Sequence, residues 1–177
     1  MPYVIPNPNL VLAAGRTRAD LTLTPPPGFE TGEGVLEVSL AALTDLISAG
    51  EAIEMTSFKM GPVASEKIDV TPLHSESKVE MHGQDNYEAN VVTFRSVGED
   101  GKPDEGDAVY AAVGAKGVVA YWPIRELMKA KIALQIGDTG FIYKTRSDNP
   151  VAGEFNGALT ANIAMTVLAR RPFIITA

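Results

Sequence analysis

Apolar and polar residues alternate most regularly near the end of the chain, between residues 159 and 169. One set of alternate positions is apolar: Leu159, Ala161, Ile163, Met165, Val167 and Ala169. The positions between them are mostly polar, and a period of two residues over this length predicts a strand with one buried face. The strong β-formers at residues 173–175 follow, and they would promote aggregation if they stayed unpaired.

Three further segments have the short length and the β-branched or aromatic composition of strands. They are residues 87–95, residues 118–122 and residues 140–145. We expect Pro123 to end the second of these strands, because proline has no N–H for the ladder. We also expect a turn at Gly137 before the third strand.

The segment from Ile53 to residue 95 is predicted to contain a long β-hairpin. The apolar residues after Ile53 change parity near residues 56 and 57, which predicts a β-bulge at that point. Residues 61–84 then alternate in short stretches that prolines and a glycine interrupt. A connection of this length is longer than most, and long ordered loops are commonly functional, so we interpret residues 61–84 as a hairpin arm.

The spacing of apolar residues also predicts helices. In residues 39–50 the apolar side chains fall on one helical face, with Ser39 as the cap and Gly50 at the end. A second helix is predicted over residues 108–113, ended by one of the two glycines that follow. A single helical turn is expected over residues 125–131.

The beginning of the chain has a different composition. Residues 1–34 hold six of the twelve prolines. Proline fixes φ and lacks an N–H, so we predict an extended N-terminal arm over residues 1–37, parts of which could dock as an edge strand. One domain, in which strands dominate, is predicted over residues 38–177.

The composition excludes several kinds of chemistry. The chain has no cysteine, which excludes disulfides, thiolate metal sites and thiol nucleophiles. A net charge of −7 argues against non-specific binding of nucleic acid. The apolar runs are too short to span a bilayer and no cationic leader follows Met1, so we expect a soluble protein with no membrane partner.

Charge is distributed unevenly along the chain. Residues 61–107 carry four bases and eleven acids, whereas residues 108–177 carry eight bases and four acids. Such asymmetry often means only that exposed faces differ. It also suits head-to-tail contacts between copies, because a heterologous contact needs two different surfaces that complement each other.

No pattern in the sequence predicts catalysis or a bound cofactor. The two histidines, His74 and His82, lack further ligands at metal-binding spacing. An acidic loop contains Glu99, Asp100, Asp104, Glu105 and Asp107. These acids do not follow the residue order of a calcium-binding loop. We expect a solvated connector there, with Asp104 or Asp107 near a helix N-terminus. Nucleophile-elbow and phosphate-loop motifs are both missing, so we predict a protein that is not an enzyme.

The segment between Ile53 and Arg95 resembles the tail tube, or major tail, proteins of long-tailed, siphovirus-type phages, particularly those of actinobacteria. Its most specific part is one run of residues: Gly83, Asn86, Tyr87, Glu88, Ala89, Phe94 and Arg95. The resemblance continues through the acidic loop, the helix after it and the long final strand. It covers roughly residues 50–170.

This resemblance implies a mainly β fold, a β-sandwich or half-barrel with one or two flanking helices, a long hairpin arm and an N-terminal arm. It implies that six copies form a ring and that stacked rings form a tube through which DNA is ejected without specific binding. The implied partners are further copies of the chain, a tape-measure protein and a tail terminator protein. The implied location is the virion tail, assembled in the host cytoplasm.

Two sets of residues are candidates for these roles. The polar faces of the strands are expected to line the lumen, through Glu54, Thr56, Glu88, Asn90, Thr160, Asn162 and Thr166. The hairpin arm is expected to contact a neighbouring subunit, through Ser65, Ile68, Val70, Val79 and Met81.

Two other classes of protein fit parts of the pattern. A capsid decoration or head–tail completion protein would share the strands, the docking arm and the missing cysteines, but it would form trimers or one ring. A soluble β-sandwich module that binds carbohydrate or calcium would carry a cluster of exposed aromatic residues, which the sequence does not show.

Overall fold

A computed structural model shows how the chain folds. It describes residues 18–43, 45–50, 52–54, 56–64, 67–69, 80–82, 86–96, 99, 107–125, 134–155 and 157–177. The strands are β1 (Arg18–Leu21), β2 (Leu36–Ser39), β3 (Ile47–Ser48), β4 (Lys59–Val63), β5 (Lys67–Asp69), β6 (Glu80–His82), β7 (Asn86–Phe94), β8 (Val119–Arg125), β9 (Thr139–Ser147), β10 (Val151–Phe155) and β11 (Ala158–Thr176). One α-helix, α1 (Ala108–Val113), and one 3-10 turn (Leu40–Ala42) accompany them.

Nine strands form one sheet, and β11 is at its centre. Seven of them follow the order β3-β1-β8-β9-β11-β7-β4, and β2 and β10 also pair with β11. The pairing of β2 with β11 is parallel, and the other pairs described are antiparallel. β5 and β6 form a separate antiparallel pair. This architecture confirms the predicted mainly β fold of the β-sandwich or half-barrel kind, with α1 as a flanking helix.

Most strand predictions are confirmed within a few residues. The segment predicted over residues 87–95 is β7, and the segment over residues 140–145 lies inside β9. The helix predicted over residues 108–113 is α1, which ends before Gly114. The turn before β9 contains Gly137 with a φ of 90°, a conformation that glycine adopts without strain.

A β-bulge divides β11 into two halves. The register with β9 shifts between Val167 and Ala169, so Leu168 is an extra residue in the strand. Because successive side chains of a strand point to opposite faces, one extra residue exchanges the two faces. Before the bulge the odd-numbered residues of β11 face one hydrophobic core, and after it they face another on the opposite side of the sheet.

The first core lies under the half of β11 that precedes the bulge. Ile163 of β11, Val91 of β7 and Trp122 of β8 are fully buried there. α1 covers this face of the sheet with Val109 and Val113, which are four residues apart and therefore on one side of the helix. Burying an aliphatic or aromatic side chain of this size contributes about 1.5–3 kcal/mol.

The second core lies on the other face, beside the half of β11 that follows the bulge. Phe173 and Ile175 of β11 pack there with Leu36 and Val38 of β2, and Phe29 covers them from the preceding loop. The apolar residues predicted to be an aggregation hazard are therefore paired on both sides, with β2 and with β9.

The predicted buried face of the last strand is partly wrong. Ala161, Ile163 and Met165 are buried as predicted, but Leu159 is 69% exposed near the beginning of the strand. Ala169 lies on the opposite face, because the bulge precedes it. Leu168 and Ala169 are both apolar, so the sequence pattern does not show that the side chains change faces at the bulge.

The helix predicted over residues 39–50 is wrong. The described residues of this segment form the 3-10 turn Leu40–Ala42 and the short strand β3, and the expected serine cap makes no side-chain hydrogen bond. Leu43 is buried in the second core, and Ile47 pairs with Leu21 at the sheet edge as part of β3. Tertiary pairing and burial therefore outweigh a helical spacing of apolar residues.

The bulge predicted near residues 56 and 57 is instead a turn that Glu54 holds. The Glu54 carboxylate accepts hydrogen bonds from Thr56 N at 2.9 Å, Thr56 Oγ1 at 2.6 Å and Ser57 N at 2.7 Å. Ile53 bridges to Thr93 on β7 before the turn, and β4 resumes pairing with β7 after it. The hydrogen bonds from Ser57 and then from Thr56 lower the pKa of Glu54 to about 2.

Pro123 does not end its strand, which corrects a further prediction. β8 continues through Pro123, which pairs with Ile142 of β9. The ladder between β8 and β1 is interrupted opposite Pro123, on the side where an N–H would be needed. The turn predicted over residues 125–131 lies outside the described residues except for Arg125, which belongs to β8.

The domain boundary predicted at residue 37 stays a prediction. Residues 1–17 lie outside the described residues. Residues 18–37 supply β1, the loop that follows it and the first part of β2. This section of the predicted arm therefore contributes to two strands of the sheet.

An arginine joins the end of β7 to the beginning of α1. Arg95 donates from Nε and Nη2 to the two carboxylate oxygens of Asp107, at 2.9 and 3.1 Å. Its guanidinium also lies 3.5 Å from the centre of the Tyr110 ring. Asp107 was expected near a helix N-terminus, and it directly precedes α1; its hydrogen bond raises the pKa of Arg95.

A buried ion pair connects the end of β8 to the turn before β9. Arg125 is fully buried and donates from Nη1 to Oδ2 of Asp138, which also accepts the N–H of Gln135 at 2.7 Å. Removing one member of such a pair is costly, because a charge then remains in a dry environment.

We therefore predict that Asp138→Asn destabilises the subunit by about 3–5 kcal/mol. The single tryptophan, Trp122, is fully buried, so its fluorescence during urea unfolding reports the change. The matched control is Asp148→Asn, which removes an exposed partner of Lys116 and should cost less than about 1 kcal/mol. Equal losses in the two variants would contradict the assignment.

Glu54 predicts how stability depends on pH. Its pKa is about 2 in the folded chain against 4.5 ordinarily, so the unfolded chain binds the proton first. The stability from this carboxylate is complete above pH 4.5 and is lost as the pH falls toward 2. Glu54→Gln should therefore lose less stability than the unmodified chain between about pH 5 and pH 3 in urea unfolding.

The control for this experiment is Glu37→Gln, which alters an exposed glutamate of β2. It should follow the pH dependence of the unmodified chain. If Glu54→Gln loses as much stability on acidification as Glu37→Gln does, the hydrogen bonds to the Glu54 carboxylate are not the source of the pH dependence.

Candidate functional site

The half of β11 that precedes the bulge exposes one face of the sheet. The register places Asn90 of β7 beside Ala164, and places Arg146 of β9 beside Thr166. We call this surface the open face, and it comprises Lys59, Glu88, Asn90, Arg146, Val151, Asn162, Ala164 and Thr166. All of these side chains are exposed except Asn90, which is half-buried.

The open face is polar and nearly balanced in charge. Lys59 Nζ lies 2.9 Å from Glu88 Oε1 across β4 and β7, and both side chains are about half exposed. An exposed pair of this kind adds little to stability, but it cancels the charge of both residues. Arg146 supplies one further positive charge, and amide or hydroxyl groups supply most of the remaining polarity.

On the same side of the sheet, a loop covers the half of β11 that follows the bulge. We call this loop, residues 26–34, the strap. Arg171 of β11 donates from Nη1 to the carbonyl oxygens of Gly28 at 2.6 Å and Phe29 at 2.9 Å, and from Nη2 to that of Gly34 at 3.3 Å. One arginine thereby holds both ends of the strap, where Gly28 and Gly34 have φ values of 76° and 77°.

The strap is also held by a glutamate near its middle. Glu30 Oε1 accepts hydrogen bonds from Lys144 Nζ and from Tyr121 Oη, each at 2.7 Å. The bond from Lys144, and then that from Tyr121, lowers the pKa of Glu30. Burial first, and Glu30 second, raises the pKa of Tyr121 to about 12. Phe29 packs edge-on against the Tyr121 ring, with the ring centres 5.4 Å apart.

Four of the seven predicted lumen residues lie together on the open face: Glu88, Asn90, Asn162 and Thr166. Glu54 and Thr160 are buried, 5% and 6% exposed, and Thr56 is exposed in the turn that Glu54 holds. Whether any of them borders a lumen stays a prediction, because one subunit does not contain a tube.

The predicted arm residues are only partly described. β5 and β6 pair as a hairpin whose register places Ile68 opposite Met81. The other three residues, Ser65, Val70 and Val79, lie outside the described residues. Their contact with another subunit stays a prediction.

Other kinds of site find no support in the described part of the chain. No group of three histidine or acidic residues lies close enough there to hold a metal ion. No described helix has the length and apolar character needed to cross a membrane. His82 belongs to β6, and His74 lies outside the described residues.

Local patterns in the sequence do not reveal the residues that hold the strap. Arg171 and Gly28 are 143 positions apart, and no local pattern connects them. One signal was present, because Arg170 and Arg171 interrupt an apolar stretch of β11 between Val167 and Ile175. Two adjacent arginines in a central strand need partners on both faces of the sheet.

Comparison with known proteins agrees with this architecture. No curated protein matches the chain. A family model described as phage tail tube protein matches residues 27–172, which includes nearly all of the strap and every strand of the sheet except β1 and the end of β11. The match covers most of the 177 residues. The chain therefore belongs to the family of phage tail tube proteins.

Proposed function

We propose that this protein builds the tube of a phage tail as stacked rings of six copies, and that DNA leaves the particle through the lumen. One observation carries the proposal beyond family membership: the sheet keeps one polar face exposed over half of β11 while the strap covers the other half. An antiparallel sheet can keep one face in water, and the polar, nearly charge-balanced character of this exposed half suits the wall of a water-filled channel.

The open face suits a channel through which DNA must slide. DNA carries one negative charge about every 1.7 Å of axis, and a strongly basic lining would retain it through counterion release. On the open face the charge of Lys59 is cancelled by Glu88 at 2.9 Å. We propose Glu88, Asn90, Asn162 and Thr166 as lining residues, and we leave out Glu54 and Thr160 because they are buried.

The β5–β6 hairpin suits a contact between copies. It pairs with itself rather than with the nine-stranded sheet. A hairpin outside the main sheet can add contact area to a neighbouring subunit at a small cost in chain length. We propose that it reaches a neighbour in the same ring or in the next one, through Ile68 and Met81 together with Ser65, Val70 and Val79.

The wider setting of the proposal follows from family membership. The protein is a structural component of the virion tail, and we propose that it assembles in the host cytoplasm with a tape-measure protein and a tail terminator protein. We assign it no catalytic activity, cofactor or membrane partner. The narrower assignment to siphovirus-type phages of actinobacteria rests on the sequence run around Tyr87.

We predict that the concentrated protein forms hollow filaments in negative-stain electron microscopy, because subunits with self-complementary surfaces polymerise. A variant without residues 64–82 should fold, as judged by Trp122 fluorescence, but form no filament. Small closed rings would favour a decoration or completion protein, and monomers a binding module. Filaments of the shortened variant would contradict the role of the arm.

The absence of cysteine allows a second prediction about the lumen. In free subunits, Asn162→Cys should react with a small maleimide and with a large polymer-linked maleimide, as should the exposed control Lys116→Cys. In filaments, Asn162→Cys should still react with the small reagent but not with the large one, because only the small one enters a channel.

Two other results in filaments would contradict the lining assignment. Reaction with the large reagent at the rate of free subunits would place Asn162 on the outer surface. Protection from both reagents would place it inside a contact between subunits.

A further inference from the structure

Arg170 is held among aromatic rings on the face of the sheet opposite the strap. Its guanidinium carbon lies 3.6 Å from the centre of the Phe141 ring, 5.6 Å from that of Tyr143 and 5.9 Å from that of Tyr87. Cation–π attraction and stacking hold an arginine in one position in such a setting. We call these four residues the Arg170 site.

Arg170 differs from the other arginines in the interior of the sheet. Arg95 and Arg125 each pair with an aspartate, and Arg171 donates to three carbonyl oxygens of the strap. Among the residues that the structure describes, the Arg170 side chain forms neither an ion pair nor a hydrogen bond; its buried Nε has no partner, a property that it shares with the Nε of Arg171. A fixed guanidinium with unused donors is preorganised to receive a carboxylate.

The hairpin arm carries two acidic residues at paired register positions. The β5–β6 register places Asp69 directly opposite Glu80. Like charges at directly opposed positions destabilise a strand pair, and a cation placed against them removes the repulsion. An arginine can bond two carboxylates through its separate N–H groups.

The positions of the two features suit contacts that repeat from copy to copy. Tyr87 pairs with Pro62 at the end of the β4–β7 ladder, which leads into the arm. The Arg170 site therefore lies at the base of the arm, whereas Asp69 and Glu80 lie farther along it. Different surfaces at the base and along the arm are what a heterologous, head-to-tail contact requires.

We propose that the Arg170 site of one copy binds the Asp69 and Glu80 carboxylates on the arm of a second copy. The inference rests on the proposed function, because it requires that copies assemble. It assigns the cationic side of a contact between subunits to Arg170, and the acidic side to the arm. The uneven distribution of charge, acidic over residues 61–107 and basic over residues 108–177, then has a structural purpose.

The first experiment measures the protein concentration needed for filaments, by sedimentation and electron microscopy. Arg170→Glu should raise it roughly tenfold or more, because repulsion replaces an ion pair at a contact that excludes water. Arg170→Gln should raise it less. The matched control is Lys116→Glu, which reverses an exposed cation outside both the open face and the Arg170 site. The protein concentration needed for filaments should stay within about twofold of the value for the unmodified chain, a change of under about 0.4 kcal/mol.

A second variant keeps the test valid if Arg170→Glu fails to fold. Reversing the charge of the arm with Asp69→Lys and Glu80→Lys leaves the Arg170 site unchanged. It should raise the protein concentration needed for filaments by a similar factor. Mixing Arg170→Glu chains with arm-reversed chains should restore filaments, because each altered site then meets a complementary arm on another copy.

The outcomes separate this inference from the proposed function. If the unmodified chain forms no filament, the proposed function is contradicted. If the unmodified chain forms filaments and folded Arg170→Glu or arm-reversed chains do so at the same concentration, the inference is overturned and the proposed function stands. If both changes in a single chain restore filaments but the mixture does not, the contact lies within one chain and the inference is again overturned.

Discussion

The extra residue in β11 is the constraint on which the rest of the structure depends. β11 is 19 residues long and pairs with β2, β7, β9 and β10. Without an extra residue, the same alternate side chains would face one side of the sheet along its whole length. The bulge at Leu168 exchanges the faces halfway, so the strand serves one core before it and another, on the opposite side, after it. α1 covers the first core and the strap covers the second.

The bulge also divides the polar groups of the sheet between two tasks. After it, Arg171 points to the strap and holds three carbonyl oxygens, while Arg170 points to the opposite face among aromatic rings. Before it, Asn162 and Thr166 stay exposed on the strap side. One side of the subunit is therefore covered by the strap over half of β11 and exposed to solvent over the other half.

Local patterns in the sequence predicted the strands well and their faces only in part. The alternation before Val167 identified a strand, but the parity change was hidden because Leu168 and Ala169 are both apolar. The apolar spacing over residues 39–50 suits a helix equally, and pairing of Ile47 with Leu21 decides against it. Contacts between distant positions, such as Arg171 with Gly28, leave no local signal.

The residues of the candidate site were likewise predicted only in part. Polar alternation in β7 and β11 brought together Glu88, Asn90, Asn162 and Thr166, which do share a face. The alternation could not separate these residues from Glu54, whose carboxylate accepts hydrogen bonds from the N–H groups of Thr56 and Ser57. The sequence does not distinguish a glutamate that bonds to nearby backbone from one that faces solvent. The same ambiguity concealed Glu30, which holds the strap.

Helical reconstruction of the assembled filaments by electron cryo-microscopy tests the central claim most directly. The account predicts that the half of β11 before Leu168 borders a continuous hollow channel with its open face, and that the strap lies on the same side of the sheet. A reconstruction in which that face is packed against a neighbouring subunit, or lies on the outside of the filament, would contradict it.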